Sequence, residues 1–106
     1  MSSQLDRFQA LAEPNRLKIM EMLATRGRLS SSDIANTFKV SAPAVSQHLK
    51  VLREARLVKV EKQAQQRIYR INADSLQEIE GWARRMREVW EERFLKLDIL
   101  LSNEKE

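Results

Sequence analysis

Apolar residues recur at helical spacing in five stretches of this chain and alternate with polar ones in two more. Leu5, Phe8, Leu11 and Ala12, behind the capping residues Ser2 and Ser3, predict a short amphipathic helix that ends before Pro14. Pro14 opens a second helix, in which Leu17, Ile19, Met20, Met22 and Leu23 are dense enough to require burial against more than one neighbour; Gly27 stops it. Arg28 and Leu29 have room for a very short extended piece. Ser30 to Ser32 supply caps and Asp33 an acidic first turn for a third helix with Ile34, Ala35 and Phe38 inward. Ser41 caps a fourth, where Pro43 sits in the first turn at no hydrogen-bond cost and Val45, Leu49 and Leu52 form the buried stripe. Alternation over Leu57 to Lys62 and Arg67 to Ile71 predicts two strands joined by the polar run 63–66, of hairpin length but without an Asn-Gly or Gly-Gly pair. Pleating sets Tyr69 and Ile71 opposite Ile68 and Arg70 without fixing which pair is core.

From a cap at Asn72 or Asp74 the remainder reads as one long helix, mildly interrupted by Gly81. Leu76, Ile79, Ala83, Met86, Trp90, Phe94, Leu97 and Leu101 recur at three and four residues, and Trp82, Val89, Ile99 and Leu100 widen the stripe. A stripe that wide needs two covering surfaces. A helix rising by roughly 1.5 Å per residue overruns so small a body, so a second copy of the chain is the simplest cover for the overhang. Residues 103–106 read as a frayed polar tail. The order helix, helix, helix-turn-helix, hairpin, long helix is that of a mainly α (α+β) winged helix-turn-helix. We expect one domain over residues 1–106, with a core at 5–71, a recognition helix at 41–56, a two-stranded hairpin wing at 58–71 and a dimerisation helix at 73–102.

The outward face of the fourth helix carries Pro43, Ser46, Gln47 and Lys50. Small bulk near the N-terminus, side chains with donors and acceptors, and a cation one turn on suit the major groove of duplex DNA. Helix phase sets Ser46 and Gln47 opposite the buried stripe, and a Gln pairs with adenine through two hydrogen bonds. Lys50 and Arg53 are placed as phosphate clamps. Ser41 caps its helix and is free to meet a phosphate as well. His48, the sole imidazole, lies beside the buried stripe; a hydrogen-bonded boundary role stands there beside DNA contact or pH sensing. Gln63, Gln65, Gln66 and Arg67 form the wing, with Arg67 suited to phosphate or the minor groove. Trp82, Trp90 and Phe94 read as core or interface rather than a ligand pocket.

Charge agrees with that reading. The net charge of +4 conceals an asymmetry: residues 1–71 hold 13 Lys and Arg against 6 Asp and Glu, whereas residues 72–106 hold 6 against 9. The positive charge travels with the reading head, as expected where that part meets a polyanion. No run approaches the roughly 18 apolar residues of a spanning helix and the N-terminus lacks a signal-peptide layout, so a cytoplasmic location is expected, with no membrane partner. The 106 residues include no cysteine and one histidine, which removes disulfides, thiolate ligands and histidine clusters; no metal or cofactor is expected. No nucleophile–base set, carboxylate pair or Gly-rich phosphate loop is legible, so the chain is not expected to be an enzyme.

Three segments carry a resemblance: ALAEPNRLKIMEML at 10–23, SSSDIANTFKVSAPAVSQHLKVLREARLV at 30–58 and QQRIYRI at 65–71. They resemble the ArsR/SmtB transcriptional repressors, whose runs take the forms LADPTRLRIL, LSQPTVSRHLKVLREAGLV and GRRVYYRL. The resemblance implies a homodimeric repressor on a palindromic operator, with the first and last helices forming the dimer interface, here Leu5, Phe8, Ile79, Trp82, Met86, Trp90, Phe94, Leu97 and Leu101. Ser46 and Gln47 match positions that touch bases, and Ala42 and Pro43 the neighbouring contact positions, where they offer apolar contact only. Members often sense metals through thiolates or through Asp/His ligands on the last helix. Here the first set is impossible and the second lacks histidine, so the chain is similar to a cysteine-free, SdpR-type branch with no recognisable effector site. A ligand- or metal-responsive sensor of the same fold and a winged-helix protein–protein module are the alternatives.

Overall fold

The computed structural model describes residues 3–104, and side chains from Gln4 to Asn103. Ser2 and the side chain of Ser3, expected as caps, lie outside the described residues, as do the last two residues of the polar tail. The elements are α1 (Ser3–Leu11), α2 (Pro14–Arg26), β1 (Arg28–Ser30), α3 (Ser31–Thr37), α4 (Ala42–Glu54), β2 (Val58–Gln63), β3 (Gln66–Ile71) and α5 (Ala73–Glu104). The chain divides into two compact units, Met1–Leu76 and Gln77–Glu106.

In the first unit, Ile19 and Leu23 of α2, Ile34 of α3, Val45, Leu49 and Leu52 of α4, and Leu57, Val58 and Tyr69 of the hairpin form the buried centre. Leu17, expected inward with its neighbours, is 45% exposed: α2 covers its partners with one stripe, and Leu17 falls outside it. Local chemistry sets the helix ends. Gly27 at φ 88 closes α2, its N–H donating to the Leu23 carbonyl at 2.8 Å. Ser30 and Asp33 form a reciprocal capping box at the start of α3, Ser30 Oγ accepting from the Asp33 N–H at 3.0 Å and Asp33 Oδ2 from the Ser30 N–H at 3.3 Å.

Four expected features differ. The last helix, expected over 73–102, runs from Ala73 to Glu104 and takes in the first two residues expected as a frayed tail. The recognition helix, expected over 41–56, runs from Ala42 to Glu54. Ser41 is its cap, and Arg56 turns into the left-handed region at φ 61. There the Leu57 N–H donates to the Leu52 carbonyl and the Arg56 N–H to the Arg53 carbonyl, the paired bonds of a Schellman ending. The hairpin turn is two residues, Ala64 and Gln65, rather than four, because Ala64 takes φ 55 and the strands pair out to Gln63 and Gln66. And the wing is not confined to two strands: Arg28, Leu29 and Ser30 pair antiparallel with Arg70, Tyr69 and Ile68, giving a three-stranded sheet in the order β1-β3-β2. This settles the pleat. Tyr69 is buried, Val60 stands opposite it and Val58 opposite Ile71, so Arg67 and Lys62 share the core-facing side at the hairpin's far end.

The second unit is the body of α5. Charged residues pair along it at i, i+4, Glu80 with Arg84 at 3.3 Å, Arg87 with Glu91 at 3.4 Å and Glu92 with Lys96 at 3.5 Å, as on a solvated face. Beside them lie large apolar side chains that this unit cannot cover: Trp90 is 63% exposed and Phe94 59%, their rings stacked at 5.3 Å.

Candidate nucleic-acid interface

Helix α4 is built to present one face. Its cap Ser41 accepts from the Ala44 N–H at 3.3 Å, Pro43 occupies a position whose N–H would be orphaned, and the stripe Val45–Leu49–Leu52 pins the opposite side into the core. What remains outward is Pro43, Ser46, Gln47, Lys50 and Arg53. Together with Ser31, Tyr69 and Arg67 they line one cleft of about 390 Å³ between the recognition helix and the wing. Three cations and no carboxylate line it, and among the described residues Lys50, Arg53 and Arg67 have no ion-pair partner, so the cleft presents unneutralised positive charge.

The other sequence-predicted residues distribute around this centre. Ser41 is exposed at the helix start, and Ala42 lines a smaller depression that shares Ser31 and Ser46 with the cleft. Gln65 sits in the turn and Gln66 is paired with Gln63 at the hairpin tip, all exposed and outside the cleft lining. His48 is on the other flank of the buried stripe. Its side chain is 19% exposed, with Nδ1 3.4 Å from Arg16 Nη1 and 3.6 Å from Glu13 Oε2. Burial raises the Glu13 pKa, but N–H donors of Arg16 and Asn15 and the charges of His48 and Arg16 outweigh it and hold the carboxyl below 4.5.

Two residues not singled out from the sequence adjoin this surface: Ser31, which lines the cleft, and Lys62, which lies outside its lining but pairs with Arg67 of it. Lys62 stands directly across the ladder from Arg67. Like charges facing each other across an antiparallel pair oppose folding. The nearby carboxylate of Glu61 lies on the opposite face, held by Arg28 at 3.1 Å and Arg70 at 3.3 Å. Strand parity counted from Tyr69 was the signal, and it becomes usable only once one face is known to be core.

Of the residues expected at an interface between copies, Phe8 and Ile79 are half-buried, and Leu5, Trp82, Met86, Trp90, Phe94, Leu97 and Leu101 are exposed. Among the described residues there is no group of three or more His, Asp or Glu side chains able to hold a metal ion, and no helix long and apolar enough to cross a membrane.

Residues 13–60 match the family model described as bacterial regulatory protein, arsR family. The transcriptional repressor SdpR of Bacillus subtilis is 33% identical over 75 residues, 71% of this chain and 82% of that one. The HTH-type transcriptional regulator Rv2034 of Mycobacterium tuberculosis is 45% identical over 69 residues, 65% of this chain and 64% of its own. Among solved structures, the ArsR-like transcriptional regulator from Rhodococcus sp. RHA1 superposes with a TM-score of 0.80 at 26% identity, covering 90% of this chain and 89% of that one. With the capped helix, its outward polar face and the adjoining wing already in place, these matches identify the chain as a member of the arsR family, a DNA-binding transcriptional regulator and not an enzyme.

Proposed function

We propose that two copies of this chain bind a palindromic operator, each laying α4 in the major groove, the two helices about 34 Å apart, and that occupancy of promoter DNA represses transcription. The observation that carries this reading is the cleft in which Ser46 and Gln47 share a surface with Lys50, Arg53 and Arg67 and with no carboxylate. In it Gln47 and Ser46 read base edges, with apolar contact from Ala42 and Pro43. Ser41, Lys50 and Arg53 hold phosphates, and the wing residues Gln65, Gln66 and Arg67 approach the neighbouring backbone or minor groove. The stacked, exposed Trp90 and Phe94 favour pairing of copies through α5, with Leu5 and Phe8 of α1 adding to it. The reading places the protein with the chromosome, in the cytoplasm. Without cysteine, any inducing signal acts other than through thiolates.

Titrating the protein against a duplex carrying its own upstream region, across a salt series, tests this. Steeply salt-dependent binding is expected. In Lys50→Ala affinity falls on every sequence and the salt slope flattens by about one, whereas Gln47→Ala changes preference at one base position. Uniform losses for Gln47→Ala would remove its role as reader, and a monomer indifferent to the duplex in dilute buffer would overturn the proposal.

A further inference from the structure

Three helices converge on one cluster of side chains that lies away from the cleft. Arg16, in the first turn of α2, donates from Nε to the Ala10 carbonyl at 2.6 Å and from Nη2 to the Gln9 carbonyl at 3.4 Å, capping the C-terminal end of α1. Its backbone N–H donates to Glu13 Oε2 at 2.8 Å, so Glu13 is at once the N-cap of α2 and the carboxylate facing His48. His48 belongs to α4. Its Nδ1 lies 3.4 Å from the Arg16 guanidinium, within hydrogen-bond reach, and 3.6 Å from the Glu13 carboxylate. The ring therefore faces both a donor and a carboxylate, one from each side of the same cluster.

The phase of α4 gives that grip its meaning. At about 100° per residue, Ser46 and Arg53 lie on one flank of the Val45–Leu49–Leu52 stripe and His48 on the other. The apolar stripe fixes how deep the helix sits but is permissive about rotation around its axis, because dispersion contacts have little direction. Hydrogen bonds and ion pairs do have direction, and those at His48 act on the flank opposite the reading face.

We propose that Glu13, Arg16 and His48 are positioning residues for DNA recognition: they clamp α4 to the corner between α1 and α2 and so set the angle at which Ser46, Gln47 and Lys50 are presented. The proposal rests on the reading of α4 as the operator-reading helix. It assigns His48 an effect on affinity without a contact to DNA.

The test has an arm without DNA and an arm with it, both on the full chain. In the free protein, the ring-proton resonances of the single imidazole move in Glu13→Gln, and the backbone amide resonances of Ser46, Gln47 and Lys50 move in His48→Ala. With a duplex carrying the upstream region, His48→Ala weakens binding by about three- to tenfold at an unchanged salt slope, and His48→Gln recovers part of the loss. His48→Ala and Glu13→Gln combine to no more than the worse single variant. A flattened salt slope in His48→Ala would make it a phosphate contact, and unmoved reading-face amides or additive losses would leave no clamp; either overturns the proposal. Failure of the wild-type protein to bind the duplex counts against the operator reading, and the amide resonances then decide the clamp by themselves.

Discussion

The side-chain amide of Asn72 donates to the backbone carbonyl of Arg56 at 2.8 Å, across the sixteen positions that hold the hairpin. The same carbonyl accepts from Ser75 Oγ, Asn72 donates to Ser75 Oγ at 3.1 Å, and the Asn72 N–H donates to the Leu57 carbonyl at 2.9 Å. The left-handed turn that ends the recognition helix is thus tied to the first turn of α5. Left-handed backbone costs a non-glycine residue about 1–2 kcal/mol, part of which glycine returns through its looser unfolded chain. Arg56→Gly should raise stability by about 0.5–1 kcal/mol, and Asn72→Ala should lower it by about 1 kcal/mol. Urea unfolding at one fixed protein concentration checks both, since association would otherwise shift the midpoint.

The capping box at Ser30 serves two elements at once, since Ser30 ends β1 and caps α3 while itself buried. Ser30→Ala should cost about 1–2 kcal/mol, with the denaturant midpoint falling at constant slope. Ser32→Ala, on the exposed side of the same helix, should change stability little.

Lys62 faces Arg67 across the wing. Lys62→Ala should leave the free protein as stable or more so, because a like-charge pair is relieved, while flattening the salt slope of duplex binding by about one. Opposite signs for stability and affinity in one variant would separate a DNA contact from a structural lysine.

Acid should reach Glu13 late. Its carboxyl is held below 4.5 in the folded chain by the Arg16 and Asn15 N–H groups and nearby positive charge, against the opposing effect of burial. The stability that its ionised form contributes is therefore complete above the unfolded value of 4.5 and is lost as pH falls through the lower folded value. Thermal midpoints of wild type and Glu13→Gln should differ near pH 7 and converge well below pH 4.5.

Much of this architecture is written in local chemistry. Ser41, Pro43 and Gly27 mark helix ends by hydrogen-bonding needs that act within a few residues, and period alone separates Val45, Leu49 and Leu52 from Ser46, Gln47 and Lys50. What stayed illegible depends on distant pairing. The sequence has room for an extended piece at Arg28 and Leu29, but nothing local in it shows that this piece pairs with Ile68 to Arg70 as a third strand. The end of α4 at Arg56 carries no glycine to announce it, and the two-residue turn at Ala64 none either. Arg16 reads as one more cation on an amphipathic helix until folding brings His48, thirty-two positions away, against it.

Pairing of β1 with β3 has a consequence for the operator itself. The short strand between α2 and α3 sews the wing's root, at Ile68 to Arg70, to the helix-turn-helix by main-chain pairing, so the root of the hairpin and the reading helix are set at one spacing. On the proposed reading, an operator lengthened by a single base pair between the bases met by α4 and the backbone met by the hairpin would throw one set of contacts out of phase.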